Sequence, residues 1–317
     1  MRALLTGITG NLGYEVALDL IRRSIAVIPL VRREKADALH LYPMNFEDRV
    51  IADLLEPTGI AYSKPIDCIV HCAGNVHFRD ADDKNQQMMR QVITLARQHH
   101  VPVHFVSTAF VFRPKGTTAG FNNNYEQDKY QAEELLRTSG VPHSILRPSI
   151  LTGNSETGVL RNFTGYYLIV KAFLRAVEAA CAQSRSVRFP NMMGRSDVVP
   201  VDQAAERVGE IVSHGRLETI YITNPEPPAA NWMLSETLGF FGLQDWVKVI
   251  DIPFDEFGNE QLTDEEAALY RYAQNFKPYW SMDYRFPDSD CIENLIDSAY
   301  MNRALSVFRD SLTTRHA

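Results

Sequence analysis

Cysteine is scarce in this 317-residue chain, and so is every pattern built on it. Cys68, Cys72, Cys181 and Cys291 form no Cys-x-x-Cys pair and no zinc-ligand spacing. That excludes a disulfide scaffold and a structural zinc site, leaves no metal expected, and fits a reduced, cytoplasmic protein. Positive charge is not in excess either. The formal net charge of -7 argues against a surface that neutralises nucleic-acid phosphates. Long hydrophobic runs are missing: the most apolar segment, "FTGYYLIVKAFLRAV", carries Lys171 and is too short for a membrane span. A strand pattern starts at Arg2, so no secretory leader fits ahead of it. Internal repeats and low-complexity tracts are absent as well, which removes solenoids and linker-like chains. What remains is enough apolar residues, 45% of the chain, to build one large domain or a domain with a smaller lobe.

The first half alternates short β-rich runs with helical patterns. Arg2–Leu5, "AVIPLV", "IDCIVHCAG", "VPVHFVST" and "GVPHSILRPS" read as strands. Between them "NLGYEVALDLIRR", with Leu12, Val16 and Leu20 on one face, "QQMMRQVITLARQHH" and "NYEQDKYQAEELL" read as helices. Strand and helix in alternation predict a Rossmann-type α/β fold, a doubly wound parallel sheet whose ligands bind beyond the carboxyl ends of the strands. Beyond residue 150 the spacing predicts a helix within 164–184, another from Asp202 as N-cap through Val212, and a strand at "ETIYITN". Residues 255–290 show only weak periodicity. The expected organisation is a dinucleotide-binding domain over 1–160, completed by segments around 195–225, with 161–317 mainly a smaller C-terminal substrate-binding lobe.

The stretch "LLTGITGNLGYE" joins the first strand to the first helix and spaces Gly7, Gly10 and Gly13 as G-x-x-G-x-x-G. Glycines there let the backbone turn sharply, bring its N–H groups to a pyrophosphate and pack the helix on the sheet. The bland alternative is a tight turn with no ligand. Thr6, Gly7, Thr9, Gly10, Asn11, Leu12 and Gly13 are the candidate contacts. At the end of the second strand an acidic residue would bind a ribose 2′-hydroxyl, but the chain reads "PLVRRE". Arg32 and Arg33 suit a 2′-phosphate, so the expected cofactor is NADP(H). Asp53, with Leu54 beside it, is placed to reach an adenine amino group, or to form a turn.

"FVSTAFVF" puts Ser107 and Thr108 at a strand end, and Tyr125 and Lys129 follow at i, i+4 on one helix face. That face continues through Ala132 and Leu136, which predicts that it packs inward; a surface pair of Lys129 with Glu133 is the competing role. Hydride addition to a carbonyl leaves negative charge on oxygen, so an acid must supply a proton. A tyrosine with a pKa of about 10 becomes a better acid–base near neutrality if an ammonium lowers that value. Tyr130 points about 100° further round the helix.

T-G-x-x-G-x-x-G, then S-T-A, then Y-x-x-x-K, in this order, resembles an extended short-chain dehydrogenase/reductase over at least residues 1–225. By position the resemblance implies Thr108 as the catalytic Ser/Thr, Tyr125 as the acid, and Lys129 as the residue that also binds the nicotinamide ribose. It further implies Pro148 and Ser149 as the backbone stretch lining the nicotinamide, and Ala73, Gly74 and Ser107 are further cofactor candidates. "HCAGNVHF", "LRPSILTGNSETG", "VVPVDQAAERV" and "YITNPEPP" resemble the branch of fatty acyl-CoA reductases and thioester reductase domains, the male sterility-like branch. That branch implies NADPH-dependent reduction of an acyl thioester to the aldehyde, sometimes on to the alcohol.

The chain departs from the branch at Asp128, where Ser is usual, and at Gly74, where Ala is usual. No adenylation or carrier segment accompanies these 317 residues. The expected partner is therefore a CoA thioester or an acyl carrier protein acting in trans, with a homodimer through a helix pair as a further implication of the resemblance. His77 and Phe78 are candidates to border the substrate, and Arg147 is expected to be structural. Two rivals stand beside this reading. One is a nucleotide-sugar epimerase or dehydratase, which needs a basic pocket from Arg161, Lys171, Arg175 and Arg188. The other is an NADP-sensing regulator without turnover, for which an intact Thr, Tyr and Lys set has no use.

Overall fold

A computed structural model describes residues 1–56, 59–76, 78, 82–114, 120–287 and 293–314. In chain order the elements begin with β1 (Arg2–Thr6), α1 (Asn11–Arg22), β2 (Ala26–Val31), α2 (Arg33–Ala36), β3 (Val50–Ile51), β4 (Cys68–His71) and α3 (Lys84–His99). They continue with β5 (Val103–Val106), α4 (Asn124–Arg137), β6 (His143–Pro148), β7 (Ile150–Thr152), α5 (Tyr166–Cys181), β8 (Val187–Pro190) and β9 (Val198–Pro200). Next are α6 (Val201–His214), β10 (Thr219–Ile222), α7 (Ala230–Phe240), β11 (Val247–Ile250) and α8 (Phe254–Phe257). Last come α9 (Asp264–Ala273), α10 (Lys277–Trp280) and α11 (Ser298–Thr314). The chain divides into two compact units: residues 1–149, 201–223 and 286–292 form one, and 150–200, 224–285 and 293–317 the other.

The first unit holds a seven-stranded sheet in the order β10-β6-β5-β4-β1-β2-β3. Every pairing in it is parallel. The strand order reverses between β1 and β4, the switch point where an open parallel sheet leaves a crevice at its carboxyl ends. Helix α1 packs on α6, and α3 packs on α4. Leu4, Ile69, Val103, Phe105 and Ile145 of the strands are buried with Met89, Val92 and Ala96 of α3 and Ala132 and Leu136 of α4. Fully burying such a side chain contributes about 1.5–3 kcal/mol. This packing is what turns the Tyr125–Lys129 face of α4 inward.

The second unit contains two small parallel pairs, β8 with β11 and β7 with β9. Residues 255–290, where the sequence pattern is weak, contain α8, α9 and α10. Helix α9 starts on a capping box in which the Thr263 hydroxyl and the Glu266 carboxylate satisfy each other's backbone amides. Helix α6 begins at Val201, so Asp202 lies in its first turn and not at the N-cap. Among the described residues no helix is long and apolar enough to cross a membrane.

Candidate active site

The three glycines of the first turn answer to different constraints. Gly7 sits at φ +76°, and a Cβ there would lie 2.5 Å from the Ala73 backbone nitrogen. A Cβ at Gly13 would lie 2.2 Å from the Gly7 carbonyl oxygen. Both contacts are shorter than any real side chain tolerates, so these positions are dictated by how the turn packs on its neighbours. Gly10 has ordinary φ, and its Cβ would meet only the Gly7 oxygen at 3.2 Å. The N-cap residue of α1 is Gly10, which makes no side-chain cap bond, and the amides and dipole of this helix end suit a pyrophosphate.

Thr6 faces the other way. Its buried hydroxyl accepts the Ala73 N–H at 3.1 Å and shares a hydrogen bond with His71 Nδ1, 2.7 Å away. That ties the ends of β1 and β4 together. Leu12 is core. For Thr6 and Leu12 only the backbone is left to meet a ligand, whereas Thr9 and Asn11 are half-buried.

Arg32 and Arg33 are exposed just past β2, with Arg32 paired to Glu34 at 3.1 Å. The Asp53 carboxylate accepts the Leu55 N–H at 2.9 Å, which is the turn-forming role, and the Leu54 side chain is buried in the core.

The carboxyl ends of β5 and β6 carry two buried hydroxyls, Ser107 Oγ and Ser149 Oγ, without a hydrogen-bond partner among the described residues. Buried hydroxyls are seldom left so, and an orphaned pair at strand ends marks a ligand surface. Together with the open Gly10 and the α1 N-terminus, they fit a dinucleotide laid across this edge. Pro148 is the last residue of β6, and the Ser149 N–H continues the sheet by donating to Ile222.

Helix α4 is capped by Asn123, whose side chain accepts the Glu126 N–H at 3.0 Å. This start sets Tyr125 in the first turn and Lys129 one turn later. Thr108, buried at the end of β5, caps the short turn at Ala109–Val111 and neighbours the Tyr125 phenol closely enough to lower its pKa. The Phe78 ring lies 6.1 Å from that of Tyr125. His77 lies outside the described residues. Burial raises the Tyr125 phenol above its ordinary value and Glu126 adds to this, while the bond with Thr108 opposes it. This corrects the expectation that Lys129 lowers it: desolvation of the phenolate is the largest contribution, and Lys129 is not among the groups that oppose it.

The buried Lys129 ammonium donates to the Val106 carbonyl at 2.9 Å and sits 4.7 Å over the Phe105 ring. Burial pulls it down to about 8, and Asp128, Cys72 and Glu133 oppose that shift. Glu133 is not the surface partner of Lys129. It is fully buried and held by Arg147, 2.5 Å away, and by Arg137. Arg147 also reaches the Tyr221 hydroxyl, consistent with its structural role. Tyr130 packs on Phe121, away from this cluster.

Asp128 and Asn85 were not candidates in the sequence, yet they form a dense hydrogen-bonded group here. The Asp128 carboxylate accepts from the backbone and side-chain nitrogens of both Asn85 and Gln86, at 2.8–3.3 Å. Its one signal was the departure from Ser. In the second unit, Arg188 is committed to Glu266 at 2.9 Å and to the Gln261 carbonyl. Arg161 and Arg175 are exposed and Lys171 half-buried. The basic pocket required by the sugar-nucleotide rival therefore loses its Arg188 member.

The male sterility protein family of NAD-binding domains matches residues 54–208. A linear gramicidin synthase of Brevibacillus parabrevis is 26% identical over 301 residues, 78% of this chain, and the chain spans 6% of that protein's length. The crystal structure of the terminal R domain from the myxalamid PKS-NRPS biosynthetic pathway superposes with TM-score 0.74 at 22% identity, covering 98% of this chain and 91% of that one. A thiolation-reductase di-domain from an archaeal non-ribosomal peptide synthetase follows at TM-score 0.69 and 14% identity, covering 98% and 76%. The sheet order and the glycine turn place the chain in the Rossmann-type α/β class, residues 54–208 are similar to the male sterility NAD-binding domains, and its cofactor is a nicotinamide dinucleotide.

Proposed function

We propose that this protein is an NADPH-dependent reductase that converts an acyl thioester, carried by coenzyme A or by an acyl carrier protein, to the aldehyde and in some cases on to the alcohol. The observation that carries the reading is the buried set of Thr108, Tyr125 and Lys129, in which the Thr108 hydroxyl neighbours the phenol and lowers its pKa and the lysine ammonium stands one helical turn on. Two hydroxyls that reach each other can both reach one carbonyl oxygen. The family's similarity to terminal reductase domains of peptide synthetases supports the thioester over a free aldehyde as first substrate.

The bound cofactor supplies hydride. Thr108 and Tyr125 hold the carbonyl oxygen and polarise it. The raised Tyr125 phenol keeps its proton at neutral pH and gives it up as negative charge grows on that oxygen. The resulting hemithioacetal then collapses: its C–S bond breaks, the thiol leaves with a proton, and the aldehyde is released. Lys129 holds the nicotinamide ribose with its ammonium.

Gly7, Thr9, Gly10, Asn11 and Gly13 serve the pyrophosphate, and Arg32 and Arg33 the 2′-phosphate. The backbone at Asp53 and Leu54 borders the adenine, while Ala73, Gly74, Ser107, Pro148 and Ser149 line the nicotinamide side. The second unit is the proposed source of acyl specificity.

The test is a panel of acyl-CoAs, acyl carrier proteins, aldehydes and nucleotide sugars mixed with NADPH, followed by nicotinamide absorbance and by thiol release. Thiol released in step with NADPH oxidation is expected, and reduction of aldehydes alone sinks the thioester step. Tyr125→Phe is expected to lower kcat by about 10²–10⁴-fold. Replacing Arg32 and Arg33 together by Ala should raise the KM for NADPH about tenfold and leave that for NADH in place, a change of roughly 1.4 kcal/mol.

A further inference from the structure

The region around Lys129 is closed by a ring of contacts that the catalytic reading does not use. Asp128, the neighbour of Lys129 on α4, is buried, and its carboxylate receives the first amides of α3: Asn85 N at 2.9 Å and Gln86 N at 3.3 Å. Asp83, at the N-cap position of α3, makes no side-chain cap bond. The cap of α3 is therefore delivered from another helix. Asp128 Oδ2 also accepts from Asn85 Nδ2 at 2.8 Å, which orients that amide.

So oriented, Asn85 grips Asn75 from both sides. Its Oδ1 accepts the Asn75 N–H at 3.0 Å, and its Nδ2 donates to the Asn75 carbonyl at 3.0 Å. Asn75 follows Gly74, and Gly74 returns the ring to its start. A Cβ at Gly74 would lie 3.0 Å from Lys129 Nζ and 3.3 Å from Asn85 Oδ1. A methyl group at Gly74 would therefore crowd the ammonium and the Asn85 amide, and one of them would have to give by a few tenths of an ångström.

We propose that Asp128 is a positioning residue: acting through Asn85 it holds the Gly74–Asn75 backbone against the Lys129 ammonium, so that loop and ammonium meet the nicotinamide ribose as one rigid surface. This rests on the role given to Lys129 above. Asp128 acts through its neighbours, since Lys129 Nζ donates to Val106.

The arrangement has an electrostatic consequence. From α4, Asp128, Glu133 and Tyr125 face or flank Lys129; from β4 and just beyond it, His71 and Cys72; from β5, the Phe105 ring and the Val106 carbonyl. Burial holds the His71 imidazolium down to about 3 and pushes the Cys72 thiol up to about 12, so both stay uncharged at neutral pH. Glu133 is committed to Arg147. Asp128 is then the nearby carboxylate without an arginine or lysine salt-bridge partner among the described residues. It works against the burial that drives Lys129 toward its neutral form.

The experiment titrates the 317-residue protein with NADPH by fluorescence and measures steady-state rates across the neutral-to-alkaline range, for wild type, Asp128→Asn, Gly74→Ala and the double variant Gly74→Ala/Asp128→Ser. Asp128→Asn is expected to weaken NADPH binding and to move the alkaline limb of the profile to lower pH. Its kcat/KM should fall by up to about a hundredfold, the scale of a small misplacement of reacting groups. Wild-type affinity together with an unmoved alkaline limb overturns the proposal.

Gly74→Ala should weaken NADPH binding while melting as wild type does, and it decides the matter if Asp128→Asn fails to fold; wild-type NADPH affinity in Gly74→Ala then overturns it. In the double variant the shorter side chain at 128 releases Asn85 and lets the loop yield, so its loss should be smaller than the product of the single losses. Independent, multiplicative losses count against the ring. Affinity is read without turnover: a wild type that binds NADPH but reduces no thioester sinks the reductase reading and leaves the affinity test of Asp128 intact.

Discussion

The glycine turn after β1 and the junction of α4 with α3 lie at the same edge of one sheet and are built in opposite ways. The turn works by having no side chain at Gly7 and Gly13. Both are forced by backbone atoms at 2.5 and 2.2 Å from where a Cβ would stand, and the Thr6 hydroxyl beside them is turned inward to His71 and Ala73. The junction works by burying charge. Asp128, Lys129 and Glu133 are almost inaccessible, and the carboxylates are satisfied by amides or guanidinium and Lys129 by a carbonyl. A steric device tolerates no added atom, whereas a buried polar device tolerates no lost partner.

That contrast can be broken, beginning with its strongest consequence. Gly7→Ala and Gly13→Ala should each destabilise the fold by roughly 4–5 kcal/mol, from positive φ or from overlap with backbone that has nowhere to move. Chemical denaturation checks this, and near-native midpoints would show the turn to be far softer than its geometry.

Glu133→Ala should come next, at about 3–5 kcal/mol, because it strands the Arg147 guanidinium in the interior. If Glu133→Gln costs as much as Glu133→Ala, charge and not shape is what the site requires.

A smaller effect follows from the buried histidines. Burial lowers His71 to about 3 and His104 to about 4, and each ring is hydrogen-bonded through Nδ1, to Thr6 and Ser144 respectively. Both folded values lie below the unfolded one, so the unfolded chain takes up protons first. Stability is full above about pH 6.5 and declines as pH falls below it, by about 1–2 kcal/mol per histidine by pH 5. Melting temperature against pH measures the slope, which His104→Gln should reduce.

Gly10→Ala sharpens the comparison at its weakest end. Its Cβ meets only the Gly7 oxygen at 3.2 Å, so stability should change by less than about 1 kcal/mol while NADPH affinity falls. Unaltered affinity would remove Gly10 from the cofactor surface.

The legible parts of this protein are those whose cause is local. Alternating strand and helix periods predicted a parallel doubly wound sheet, because the period of burial is written residue by residue. The glycine spacing marked the turn for the same reason. Helix α9 carried a readable start in Thr263 and Glu266, but its short, aromatic-rich body has little periodicity to announce it. The Asp53 carboxylate meets the amide two residues on, a local bond that the sequence offered beside an adenine contact.

The site was legible as a set and illegible as a network. Spacing placed Tyr125 and Lys129 on one face, and the structure brings Thr108 to the phenol. The direction of the Tyr125 shift went the other way, because desolvation depends on everything packed around a group and not on the residue four positions along the helix. Asp128 stood out only as an unusual residue next to a lysine. Its partners come from 42 and 43 positions away in the chain, and Asn75 enters through a side chain 10 positions away.

By itself, then, the sequence determined the period, hence the sheet, and the local chemistry, hence the glycine turn and the helix face. Only the tertiary structure decided which buried charges meet which donors. Periodicity and turns are properties of neighbouring residues, whereas burial and pairing exist only once distant segments share the same few ångströms.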